Sequence, residues 1–309
     1  MSRLVALGEL VRAIVDDRPA PNADPVLVRK HGLAPLAYTH GRSLFRADYA
    51  LSSIRAEQQR ELACEAVATL GSAGIQVILL KGISYAGELY KDPAERPMSD
   101  VDLMVPVADH PRAVAVLEGI GYRHAGPKIQ RSHRHHAMTL KRPGAAVDLH
   151  RSPTQEGRVD IPMREVWRRV TPASRVPGAS RLQEDDEILF HLANLARHDL
   201  IVPLISFVDA GRMLRHLDTL ARQRLVRKAH EWRFGRVFDA CVEAVEIVCG
   251  RNVTRERWWL PARNSMLAGE RPSRPVQIGR KLLLVEGPRE LLSYARSVAD
   301  GWVTSLRSQ

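Results

Sequence analysis

The chain has 309 residues, 46 Lys and Arg against 35 Asp and Glu, a formal net charge of +11, and 45% hydrophobic residues. That length and apolar content support a sizeable core and exclude global disorder, while the longest aliphatic runs (77–80 and 282–285) are far too short to span a bilayer. Cys64, Cys241 and Cys249 form neither a disulfide framework nor a zinc spacing, and the first amphipathic stretch lacks a signal-peptide apolar segment, so a cytoplasmic protein is expected. The positive excess is carried mainly by dispersed arginines. It fits a polyanionic ligand or nucleic acid, and equally a solvated arginine-rich surface.

In chain order, residues 3–16 space apolar positions as an amphipathic helix does, and three prolines in 18–25 break it. A long helix is predicted over 44–72, rich in helix formers and ended by Gly71 and Gly74. The period then changes. Residues 77–80 and 101–105 read as short buried strands, 111–120 as a helix, and 135–142 with 145–150 as a hairpin around Pro143-Gly144. After a connection at 171–181, helices are predicted over 184–197, 205–216, 220–230, 237–248 and 288–306, with 252–275 ambiguous. The expected fold is α+β: a small mixed-sheet core (74–170) flanked by N-terminal helices (1–73) and a C-terminal helical domain (171–309).

The chemistry concentrates in 79–105. Asp100 and Asp102 stand two apart at a strand entrance, so both carboxylates point to one side, a natural seat for a hard divalent cation. Asp148 lies in the second hairpin strand, and completes a three-carboxylate cluster if that strand neighbours 101–105. The competing reading is a solvated strand entrance or an Asp cap. Lys81-Gly82 sits where strand gives way to helix: glycine permits close phosphate approach, Lys81 adds charge and Ser84 a hydroxyl.

The stretch LKGISYAGELYKDPAERPMSDVDLMV closely resembles the signature of the DNA polymerase β-like nucleotidyltransferase superfamily, and within it a branch of stand-alone bacterial nucleotidyltransferases. VDLHRSP at 147–153, EDDEILFHLANLARHDLI and FVDAGRML resemble later segments of that branch, so the resemblance spans roughly residues 76–215. It implies a transferase of the 2.7.7 type that moves an NMP, from ATP in the favoured case, to an unidentified acceptor and releases pyrophosphate. Two Mg²⁺ ions, or Mn²⁺, would be held by Asp100, Asp102 and Asp148, the last as ligand or base. Gly82 and Ser84 would cradle phosphate, although the superfamily's Gly-Ser pair is here Gly82-Ile83-Ser84. Lys81 is a triphosphate contact by this resemblance. Arg96 is either another or the anchor of its own loop, and His150 is a carboxylate-orienting, phosphate-contacting or structural residue.

Other features stay open. His133, His135 and His136 form a metal-site-like cluster without any Cys-like companion, and read rather as a solvated or substrate-facing strand. His191 and His198 share one helix side, facing either a nucleotide or a packing partner. Trp258-Trp259 reads as packing. The rival functions are a non-catalytic nucleotide sensor and a nucleic-acid-directed binder or enzyme; a membrane partner is not expected.

Overall fold

Local signals set the element boundaries in the computed structural model, which describes residues 2–127, 130, 135–153, 159, 161–250, 260–284, 287–288 and 291–292. Helix α1 (Arg3–Val15) starts where the Ser2 hydroxyl accepts the Val5 amide, and it buries Leu7, Leu10, Val11 and Ile14. Helices α2 (Pro25–Lys30) and α3 (Ala34–Thr39) follow the proline-rich break; at six residues each they are too short to leave a periodic signal. Helix α4 (Arg46–Ser72) closes with Gly74 at φ +70° and a hydrogen bond from the Ile75 amide to the Leu70 carbonyl, a Schellman-type stop.

The expected strands and helices of the core follow. They are β1 (Ile78–Leu80), α5 (Lys81–Tyr85), β2 (Val101–Met104), α6 (His110–Gly119), β3 (Arg123–His124), β4 (Ala137–Arg142) and β5 (Ala145–His150). The β4–β5 hairpin turns on Pro143-Gly144, with Gly144 at φ +74°, the left-handed backbone a tight Pro-Gly turn requires. Helix α7 (Met163–Arg169) and the two-residue strands β6 (Thr171–Pro172) and β7 (Ser180–Arg181) come next. The sheet order is β3-β4-β5-β2-β1-β7-β6. It is mixed: β1 runs antiparallel to β2 and parallel to β7, while β2 runs parallel to β5. Helical segments complete the described chain: α8 (Glu184–Arg197), α9 (Leu204–Arg215), α10 (Thr219–Glu231), α11 (Gly235–Val248), α12 (Arg263–Ala268) and α13 (Arg274–Leu283). The fold is thus mixed α/β with a helical C-terminal region. Trp258, Trp259 and nearly all of the helix expected over 288–306 lie outside the described residues.

Two compact units interleave along the sequence. An α/β unit takes Arg55–Glu88 and Met98–Glu187, and a helical unit takes the described parts of Met1–Ile54, Leu89–Pro97 and Ile188–Glu286. In the α/β unit the central strands are buried, with Leu79, Val101, Leu103, Val147 and Leu149 packed against Ala63, Ala66, Val67 and Leu70 of α4. Burial on both faces explains why these strands read as continuous apolar runs rather than alternating ones. In the helical unit α1 packs against α9, α11 and α12. Among the described residues no helix is long and apolar enough to cross a membrane.

Candidate active site

The parallel pairing of β2 and β5 fixes the site. Its register sets Asp102 opposite Asp148 and Met104 opposite His150, so the condition under which Asp148 would join the other aspartates is met. Asp102, Asp148 and His150 each offer a ligand atom, and these atoms lie within 4.8 Å of one another. Asp102 and His150 are buried and Asp148 is half-buried. Asp100 precedes β2 by one residue, accepts a bond from the Ser99 hydroxyl (3.1 Å), and lies within electrostatic reach of both other aspartates.

Two groups already satisfy Asp102. The Lys81 ammonium donates to its Oδ1 at 2.5 Å and His150 Nε2 bonds the same oxygen at 2.8 Å. Lys81 reaches it from a left-handed backbone (φ +52°), an uncommon conformation for a residue with a side chain, located at the β1–α5 junction. Burial alone would raise the Asp102 carboxyl, but the Lys81 charge and the His150 bond overcome it and hold the group well below 3.8. Burial, with Lys81 beside it, lowers His150, so its imidazole is neutral at pH 7. A neutral ring facing an ionised Oδ1 carries its proton on Nε2. That leaves Nδ1 as a buried lone pair, and this atom has no hydrogen-bond partner. Asp100 moves the other way: burial first, then the charges of Asp102 and Asp148, push its carboxyl above 3.8.

The sign of each shift has a measurable consequence. Asp102 contributes stability above about pH 3.8 that is lost only at lower pH, whereas ionised Asp100 costs stability that protonation or a bound cation relieves. In a carboxyl ¹³C NMR titration of the metal-free protein, Asp100 is therefore expected to protonate at higher pH than Asp102. The reverse order would contradict this electrostatic picture.

This donor set suits a hard divalent cation. Carboxylate oxygens converge, their mutual repulsion already shows at Asp100, a cation (Lys81) already sits on Asp102, and the imidazole of His150 stands beside them, a ligand type that Mn²⁺ accepts more readily than Mg²⁺.

The remaining residues singled out from sequence take different places. Gly82 is buried in α5. Ser84, also buried, donates its hydroxyl to Glu187, whose other oxygen accepts Arg181 at 2.8 Å. Burial raises the Glu187 carboxyl despite these bonds. The acidic run 184–187 reads in sequence only as a helix start, yet Glu187 and Asp186 are buried partners; their one signal was falling on the inward stripe of α8. Arg96 is taken up by Asp209, with Nε 3.0 Å from both carboxylate oxygens and Nη2 2.8 Å from Oδ2. His191 Nε2 bonds the Ser206 carbonyl at 2.8 Å. His133 lies outside the described residues, but His136 is buried and its ring centroid stands 5.7 Å from that of His150, so the histidine-rich stretch leads to the edge of the site.

No curated protein matches the chain. Residues 26–249 match the family described as an uncharacterised nucleotidyltransferase, a span that contains every aspartate, lysine and histidine placed in the site. The match covers well over half of the sequence, and the chain belongs to this nucleotidyltransferase family.

Proposed function

We propose that the protein is a metal-dependent nucleotidyltransferase of the DNA polymerase β-like type. It moves an NMP, from ATP in the favoured case, onto a hydroxyl or other nucleophile of a small molecule, peptide or protein and releases pyrophosphate. The observation that carries the reading is the in-register Asp102–Asp148 pair with His150 beside it, in a chain of this family.

In this reading Asp102 and Asp148 hold two Mg²⁺ or Mn²⁺ ions, with Asp100 completing the acidic wall. Bound ions supply charge neutralisation at the reacting phosphate and the leaving pyrophosphate. The chain's own groups do the positioning, which supplies much of the rate in such transfers. Half-exposed Asp148 is placed to take the acceptor proton. Lys81 leaves Asp102 and turns to the triphosphate, over the backbone at Gly82. Ser84 joins that cradle only by rotating its hydroxyl away from Glu187, and Arg96 serves as an anchor through Asp209 rather than as a phosphate contact.

The test is transfer of label from α-³²P ATP, GTP, CTP and UTP, with Mg²⁺ or Mn²⁺, to components of a cell extract. Metal-dependent transfer from one nucleotide, with ATP the expected donor, supports the reading. Tight nucleotide binding without transfer from any of the four would instead favour a sensing module.

A further inference from the structure

The first turn of α8, which carries Glu187, belongs to the α/β unit, as does the segment Lys81–Glu88. Lys81 stands there with φ +52°, a backbone that a residue with a side chain keeps only where its surroundings hold it. On one side the sheet holds it, since Leu80 is register-paired with Asp102. On the other side follows α5, at five residues too short to be held by its own hydrogen bonds. A polar network fastens it instead. The Ser84 hydroxyl donates to Glu187, and both side chains are buried. Arg181 of β7 donates to the other Glu187 oxygen at 2.8 Å and pairs with Glu88, just beyond α5, at 2.6 Å. Ser174 donates to the second oxygen of Glu88 at 2.8 Å. Strand β7 is the neighbour of β1, so the network ties α5 back to the sheet that carries Asp102.

The alternative role of Ser84, a phosphate contact, requires its hydroxyl to turn away from Glu187. That would leave one oxygen of a buried carboxylate without its donor, because Arg181 occupies the other. A buried carboxylate that accepts both a hydroxyl and a guanidinium defines geometry sharply. Ser84 is three residues from Lys81, so an anchor at Ser84 limits how far the Lys81 backbone can relax.

We propose that Glu187, held by Arg181 and acting through Ser84, is a positioning residue for the Lys81–Gly82 turn, and that Ser84 stays on Glu187 as a tether when nucleotide binds. Lys81 and the Gly82 backbone are then the phosphate-side contacts, and Glu187 sets their place without touching the nucleotide. This rests on the proposed nucleotide role of that turn.

The experiment joins two readouts on the full chain: hydrogen exchange over 82–88 in the nucleotide-free protein, and ATP binding in the presence of Mn²⁺ by isothermal titration. Glu187→Ala is expected to speed exchange over 82–88 and to weaken ATP binding about tenfold. Ser84→Ala, which cuts the tether from its other end, is expected to do the same. In the double variant the two losses should not add, because each change removes the same link. Where Glu187→Ala does not fold, the cycle is run with Glu187→Gln, which keeps an acceptor for Ser84 but loses the charge facing Arg181; faster exchange and about threefold weaker ATP binding are then expected. Tighter ATP binding in Glu187→Ala together with weaker binding in Ser84→Ala would overturn the inference, since Ser84 would then be a phosphate contact that Glu187 restrains. Additive losses, or exchange over 82–88 as in the wild type, would overturn it as well. If the wild type binds no ATP, it is the nucleotide reading that fails, and the exchange data alone decide whether Glu187 orders the turn.

Discussion

Asp102→Asn is expected to abolish Mn²⁺ binding in the micromolar range and to lower nucleotidyl transfer by about a thousandfold or more, ~4 kcal/mol of lost transition-state stabilisation. Asparagine keeps the shape of the side chain but removes the one carboxylate that meets Lys81, His150 and the register-paired Asp148 together. Folding is expected to change far less. The substitution leaves Lys81 without its partner, yet it also removes a negative charge from beside Asp100 and Asp148, and the two effects oppose each other. The unfolding midpoint in urea should therefore fall by no more than about 1–2 kcal/mol equivalent. Asp148→Asn is the cleaner companion: it leaves the Lys81–Asp102 pair intact and is expected to show the same loss of metal binding. Transfer at wild-type rate by either variant would remove the cluster from the chemistry.

Lys81→Met carries the second large effect, and in the direction opposite to a simple loss. In the metal-free protein the ammonium occupies Asp102 Oδ1, so a divalent ion and Lys81 compete for one oxygen. Removing the charge while keeping the length is expected to tighten Mn²⁺ binding without nucleotide about tenfold, the size of one strong neighbouring charge (~1.4 kcal/mol). The same variant is expected to raise KM for the nucleotide, because the charge that would turn to the triphosphate is gone. Isothermal titration with Mn²⁺ alone separates the two. Weaker metal binding in Lys81→Met would mean that the lysine supports the cation site instead of guarding it.

How much of this was legible in the sequence depended on element length and on distance along the chain. Strands β1, β2 and β5 were readable because buried runs and a Pro-Gly turn are local signals, and the Asp102–Asp148 pairing followed once β2 and β5 were neighbours. Helices α2 and α3 and the two-residue strands β3, β6 and β7 were not readable, since none spans enough residues to establish a period. The partners of individual charges were hidden for a different reason. Lys81 with Asp102, Ser84 with Glu187 and Arg96 with Asp209 are 21, 103 and 113 residues apart, and nothing in composition or spacing couples such pairs. The excursion at Leu89–Pro97 was likewise invisible, because a compact unit assembled from separated segments leaves no boundary in the sequence. The net charge of +11 also looks different with the side chains in place. Arg96, Arg169, Arg181 and Arg212 each pair with a buried or nearly buried carboxylate, so part of the arginine excess works inside the fold and is not surface awaiting a polyanion.

The central claim is that the β2–β5 aspartates seat the catalytic cations. Its most direct test is a crystal of the protein grown with Mn²⁺ and a non-hydrolysable ATP analogue, with manganese located by anomalous scattering. Peaks within about 2.3 Å of carboxylate oxygens of Asp102 and Asp148, with Lys81 turned away from Asp102, are the predicted result. Analogue bound with manganese seated elsewhere, and Lys81 still on Asp102, would contradict it.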